Sequence, residues 1–93
     1  MMVVDTSPVQ HLYTSHHRWL YELLRRRLSN AFDAADLAHD TFIRVLKRPQ
    51  QFDCEVHARS YLATIARGLC IDHWRRRQLE QAWLQALSQQ PQA

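Results

Sequence analysis

The stretch SYLATIARGLCIDHWRRR ends in three consecutive arginines, Arg75, Arg76 and Arg77, beside Trp74 and His73. A guanidinium stays charged at any cellular pH, and its planar fork matches phosphate oxygens. A neighbouring indole can stack on an unpaired base. The chemistry this implies is binding to a nucleic-acid backbone. The competing reading is a solvated helix end with Trp74 partly in the core. Three adjacent residues fan around a helix, so not all three arginines can reach one strand.

The other reactive side chains form no catalytic set. His11, His16 and His17 lie close in sequence, but no His-Glu-x-x-His helix is present. Cys54 and His57 lack a second pair of metal ligands at a suitable spacing. One glycine in the chain rules out a glycine-rich phosphate loop. His16 falls on an apolar stripe and reads as a packed core residue. Cys54 and Cys70 have no paired spacing, the first residues lack the basic start and apolar run of a leader, and no apolar run matches a membrane span. A cytoplasmic protein with free thiols follows as the expectation, with no catalytic residue, metal or cofactor.

These residues need helices to position them. Scarce glycine, three prolines and 46% apolar residues favour long helices over a sheet with many turns. A chain of 93 residues is one domain and buries ~60–65% of its unfolded surface. Ser7 and Pro8 mark a helix start, and Val9, Leu12, His16, Trp19, Leu20, Leu23, Leu24 and Leu28 form one stripe at helical spacing. Arg25, Arg26 and Arg27 suit the negative end of that helix dipole. A second helix is expected to be capped by Asp33, to bury Ala34, Leu37, Ala38, Thr41, Phe42, Val45 and Leu46, and to end before Pro49. A loop follows over 49–56. The third helix is expected to begin between His57 and Ser60 and to carry a stripe through Leu62, Ile65, Ala66, Leu69, Cys70 and Trp74. Leu79, Ala82, Trp83, Ala86 and Leu87 make another stripe, displaced by a five-residue step. The displacement predicts a bend or break between Arg76 and Leu79 and a short last helix. Residues 1–6 are expected to fray, and 89–93 to begin a linker.

The outward side of the second helix is the other anomaly. It carries Asp36, His39, Asp40, Ile43, Arg44 and Lys47, with an isoleucine amid charge. A lone exposed isoleucine is common, and Asp40 with Arg44 is a possible i,i+4 pair. The functional reading is a docking face, an apolar anchor ringed by charge. Charge is also divided along the chain. Residues 54–93 carry five arginines against Glu55, Asp72 and Glu80, whereas 32–53 carry four aspartates against three basic residues. Two surfaces of opposite character imply two kinds of partner.

The run DAADLAHDTFIRVL followed, after a loop, by SYLATIARGLCIDHWRR resembles region 2 of the extracytoplasmic-function (ECF) bacterial sigma factors, most closely their ferric-siderophore, iron-starvation group. The resemblance extends from Leu12 to Leu87. It implies an all-α fold of three main helices plus a short fourth. It also implies a transcription initiation factor without enzymatic activity, which binds core RNA polymerase and opens the promoter −10 element. Polymerase contact, to the clamp helices of the β′ subunit, falls on Asp36, His39, Asp40, Ile43, Arg44 and Lys47. DNA contact falls on Asp53, His57 and Arg59 at the loop and the start of the third helix. Along that helix it continues through Ser60, Thr64, Arg67, Gly68, His73, Arg75, Arg76 and Arg77. In the family the loop forms a pocket for a flipped-out base, for which Phe52 is either a stacking ring or a core plug; the plug is favoured here. Gly68 departs from the family's asparagine, which faces that base, so recognition must rest on neighbouring groups. A mid-helix glycine costs ~0.5–1 kcal/mol against alanine, which calls for a close approach of backbone or base. The family also has an anti-sigma regulator at the inner membrane, tied to siderophore uptake, and a second helical domain reading the −35 element, which is absent from this sequence. Two other readings stand beside this one: a helical protein-interaction module, and a helix-turn-helix fragment, whose tight turn the long loop does not supply.

Overall fold

The computed structural model describes residues 7–89. The expected frayed start over 1–6 and residues 90–93 of the expected linker lie outside them. Three helices follow in order, α1 (Ser7–Arg27), α2 (Ala31–Lys47) and α3 (Glu55–Ser88), and each packs against the other two. The described residues contain no strand, so the all-α expectation holds.

The core forms where the three stripes meet. Leu20 and Leu24 of α1, Ala34 and Val45 of α2, and Leu62, Ala66 and Cys70 of α3 are all essentially sealed from water. Alanines at 58, 63 and 66 keep the inner side of α3 thin and admit the larger leucines of α1. Two polar side chains are buried, and both have partners. Thr41 Oγ1 donates to the Leu37 carbonyl at 2.8 Å, and His16 accepts from Arg59. Pairing matters because an unsatisfied buried polar group costs ~1–3 kcal/mol.

Several boundaries differ from expectation. Asn30, not Asp33, caps α2: its side-chain oxygen accepts from the backbone N–H of Phe32 at 2.7 Å and of Asp33 at 3.4 Å. Capping three residues earlier leaves Asp33 inside the first turn with its carboxylate free for another task. α3 begins at Glu55, ahead of the expected His57–Ser60 window, because the extended Cys54 backbone already supplies the N-cap position. Leu46 is about half exposed and does not belong to the core stripe.

The expected bend after Arg76 does not occur. α3 runs unbroken for 34 residues, and the anticipated fourth helix is its last segment. Residues 75–88 contain neither glycine nor proline and are rich in Arg, Gln, Leu, Glu and Ala, all good helix formers. A displaced stripe bends a helix only when a neighbour is there to receive it. Here Leu79 and Trp83 of the stripe, and Leu84 beside it, are 71%, 67% and 63% exposed, so the stripe has no partner among the described residues. The helix therefore projects from the bundle as an arm, and the molecule measures 65 × 34 × 18 Å.

Candidate functional site

α3 presents two different sides. At 3.6 residues per turn, His57, Ser60, Thr64, Gly68 and Arg75 fall on the side opposite the buried Leu62, Ala66 and Cys70. All five are exposed, and Arg67 flanks them. His73 and Arg77 fall on the inner side. His73 Nε2 lies 3.3 Å from Asp33 Oδ2, and Arg77 Nη1 lies 3.7 Å from the same oxygen. Asp33, released from capping, thus ties the base of the α3 arm to the start of α2. The basic block is divided: Arg75 faces outward with the polar strip, Arg77 faces α2, and Arg76 lies between them. Trp74, expected to be partly in the core, is 42% exposed.

Gly68 has open space around it. A Cβ built there meets no heavy atom within 4 Å. No close approach of the protein's own backbone accounts for the glycine, and the outward strip is left flat and shallow at its middle.

Two depressions flank the junction of α1 with the start of α3. The first, of about 420 Å³, lies under the loop and is lined by His11, His16, Gln50, Phe52, Cys54 and Glu55, among others. Phe52 lines this cleft while packing on the core, its ring 5.3 Å from that of Tyr61, in keeping with the core-plug reading. Asp53 is exposed on the loop. The second depression, of about 370 Å³, is a groove lined by Trp19, Val56, Arg59, Ser60, Ala63, Thr64 and Arg67. It brings together four of the residues on which the resemblance places DNA contact.

His16, on the wall of the first depression, is linked to Arg59 of the second. It is 3% exposed, as its stripe position predicted. Its pKa is lowered from the ordinary 6.5, first by burial and then by the Arg59 guanidinium, with His11 adding to the effect and Glu55 opposing it. The neutral ring can accept, and Arg59 Nε donates to His16 Nδ1 at 3.4 Å. The Arg59 Cζ also sits over the Trp19 ring, 4.9 Å from its centroid. Trp19 had read only as a core residue of the α1 stripe. Its half-buried position on the groove was not legible, because a stripe position says nothing about where a helix neighbour ends.

α2 carries its charged face opposite its core. Asp36, His39, Arg44 and Lys47 are exposed, and Asp40 and Ile43 are half-buried. Among the described residues the charged contacts within 4 Å are Arg18–Glu22 and the two made by Asp33, so Asp40 and Arg44 do not pair. Ile43 is not alone. With Leu46, Phe42 and His39 of α2, and Val9, Gln10 and Tyr13 of α1, it lines an apolar groove of about 350 Å³. Tyr13 and Leu46 are about half exposed on its rim. Leu46, one helical turn from Ile43, was the residue of this groove that its spacing assigned to the core.

Cys54 is exposed and Cys70 buried, and both are free thiols. Burial raises the Cys70 pKa from its ordinary 9.0, against a smaller opposing effect of Arg27. No group of three potential metal ligands occurs among the described residues. None of the described helices is long and apolar enough to cross a membrane.

The three-helix module thus carries a charged, apolar-centred face on α2 and a basic, polar strip on α3. The chain belongs to the sigma-70 region 2 family, which it matches over residues 12–80. It is similar to the "Ferric citrate uptake sigma factor FecI" of Escherichia coli (strain K12), 44% identical over 80 residues, which cover 86% of this chain and 46% of that protein. It is also similar to the "ECF RNA polymerase sigma factor SigX" of Bacillus subtilis (strain 168), 32% identical over 69 residues, covering 74% and 36% respectively. The ECF resemblance, and within it the iron-uptake group, is thereby borne out. The chain spans less than half the length of these relatives. No solved structure matches it significantly.

Proposed function

We propose that this chain docks on core RNA polymerase through α2 and captures the non-template strand of the promoter −10 element along the loop and α3. The observation that carries the reading is the separation of the two faces. The mixed-charge, apolar-centred side of α2 and the basic strip of α3 lie on different helices, each directed away from the shared core, so both partners can be held at once. Docking uses Asp36, His39, Asp40, Ile43, Arg44 and Lys47, with the groove at Ile43 as the apolar anchor. Strand capture uses Ser60, Thr64, Arg67, Gly68 and Arg75 on the strip, with Arg76 at its edge. Asp53 on the loop, His57 on the strip and Arg59 in the groove between α1 and α3 serve as base-reading groups. His73 and Arg77 contribute by holding α3 in place through Asp33.

No bond is made or broken in this function. Strand opening follows from binding, since unstacked bases held by protein cannot re-pair. The FecI relative, by its name, serves ferric citrate uptake; we extend that to expression of siderophore-uptake genes here, in the cytoplasm, under a membrane-associated anti-sigma regulator.

Capture on immobilised core polymerase tests the docking half. Asp40→Arg with Ile43→Glu is expected to abolish capture while leaving the helical circular dichroism intact. A folded double variant that still binds removes α2 from the docking site. Fluorescence anisotropy with single-stranded and duplex oligonucleotides tests the other half. Preference for single strand is expected; a helix-turn-helix fragment would prefer duplex, and an interaction module would bind neither.

A further inference from the structure

We infer that His16, Trp19 and Arg59 form a preset stacking platform for one unpaired base at the mouth of the groove between α1 and α3. The inference rests on the strand-capture reading and adds α1 to it. Two contacts hold the Arg59 side chain although the residue itself is exposed, and a third braces the two rings it meets. Its Cζ lies 4.9 Å from the centroid of the Trp19 ring. Its Nε donates to Nδ1 of the buried His16 at 3.4 Å. The imidazole in turn meets the indole edge-on, with centroids 6.5 Å apart and planes at 75°. With its Cζ over the indole and one N–H engaged, the guanidinium of this exposed residue stays accessible from solvent.

A free arginine at a helix start samples many rotamers, and ordering it on binding opposes affinity. Here that ordering is already done in the folded protein. A guanidinium plane is a stacking surface for a splayed base, as an aromatic ring is. The groove beside it offers what a nucleotide needs next. Ser60 and Thr64 supply hydroxyls, and Arg67 supplies a phosphate-binding cation, all on the same wall. The Thr64 hydroxyl donates to the Ser60 carbonyl at 2.9 Å, which leaves its lone pairs free to accept from a base. Arg59 is therefore the contact residue, and Trp19 and His16 are positioning residues.

The test couples protein variants to missing bases. A fluorescent single strand carrying the −10 sequence is compared with a set in which each base in turn is replaced by an abasic site, read by anisotropy at fixed salt. In the wild-type chain one abasic position is expected to weaken binding roughly 5- to 150-fold, the range of one stacked base. Arg59→Lys keeps the charge, and so the salt slope, but is expected to erase that sensitivity. Trp19→Leu is expected to erase it as well, whereas Trp19→Phe, which retains a ring beneath the guanidinium, is expected to restore most of it. A purely structural role for Trp19 would lower all affinities together and leave the abasic penalty in place. Arg59 is exposed, so its lysine variant remains informative even where Trp19→Leu loses its fold. An abasic penalty that survives Arg59→Lys, or a wild-type scan with no sensitive position, overturns the platform alone. A wild-type chain with no preference for single strand overturns the capture reading and the platform together.

Discussion

Replacing Arg75 and Arg77 separately by alanine should produce two different phenotypes, although the residues are two apart in one basic block. Each phosphate neutralised on a single strand contributes about −0.7 to the slope of log affinity against log salt. Arg75 stands on the outward strip with Arg67, so Arg75→Ala should flatten the slope by ~0.7, and Arg67→Ala with Arg75→Ala by ~1.4. Between about 50 and 200 mM salt, one contact is worth roughly a factor of 2.6. Arg77 faces α2, with its guanidinium 3.7 Å from Asp33 Oδ2. Arg77→Ala should leave the slope at its wild-type value. Its effect should appear in stability, and should be small. The side chain is 55% exposed, and exposed pairs contribute at most ~1 kcal/mol. That corresponds to a fall in Tm of no more than ~4–8 °C for a domain of this size. Anisotropy titrations over a salt series, with thermal melts of the same preparations, measure both. Losses should be equal for matched and scrambled strands, because phosphate carries no sequence information. If Arg77→Ala flattens the slope as much as Arg75→Ala, the division of the basic block read from the Asp33 contacts is wrong.

Three further outcomes follow from particular residues. Gly68→Ala should stabilise the chain by ~0.5–1 kcal/mol, since the added methyl meets nothing within 4 Å; weaker single-strand binding by the same variant would show that the bare backbone is used by the strand, and a lower Tm would contradict the open surroundings. Exposed Cys54 should react with a thiol reagent much faster than Cys70, which is buried and whose thiolate is disfavoured; equal rates in the folded protein would refute the burial of Cys70. The His16 and Cys70 shifts bracket stability from both ends of the pH scale. His16 titrates below its ordinary 6.5 in the fold, so the unfolded chain binds more protons in that window, and its contribution is full above 6.5 and lost as pH falls through the folded value. Cys70 titrates above its ordinary 9.0, so its contribution is present below 9.0 and lost as pH rises through the folded value. Denaturant melts across pH should show the acid limb diminished in His16→Gln, and a limb of unchanged size would exclude His16 as its source.

Most of the fold was legible because helical periodicity is a local property. The stripes of α1, α2 and the first half of α3 recur at three- and four-residue steps, and a helix that buries one face shows this in its own residues. Punctuation was less secure. Asn30 and Asp33 are both good caps, and only the path of the chain into α2 decided which side chain met the free N–H groups. The two faces carrying the candidate sites were visible for the same reason as the core, being what remains of each helix when its stripe is removed.

The amino-acid sequence by itself therefore determined the helices, their inward faces and the charge character of their outward ones. Tertiary structure decided everything that depends on a neighbour. The stripe from Leu79 to Leu87 looks like a core stripe, but none of the described helices lies alongside to bury it, so it stays on an exposed arm. Leu46 fits the core spacing of α2, yet at the end of the helix it opens onto the groove at Ile43. Asp33 became a tether once the fold brought His73 and Arg77 to it from forty or more residues away. Arg59 and His16, 43 residues apart, meet only because α1 and α3 cross there. Periodicity records which side of a helix avoids water, whereas the partner on that side, or its absence, is fixed by how the helices cross.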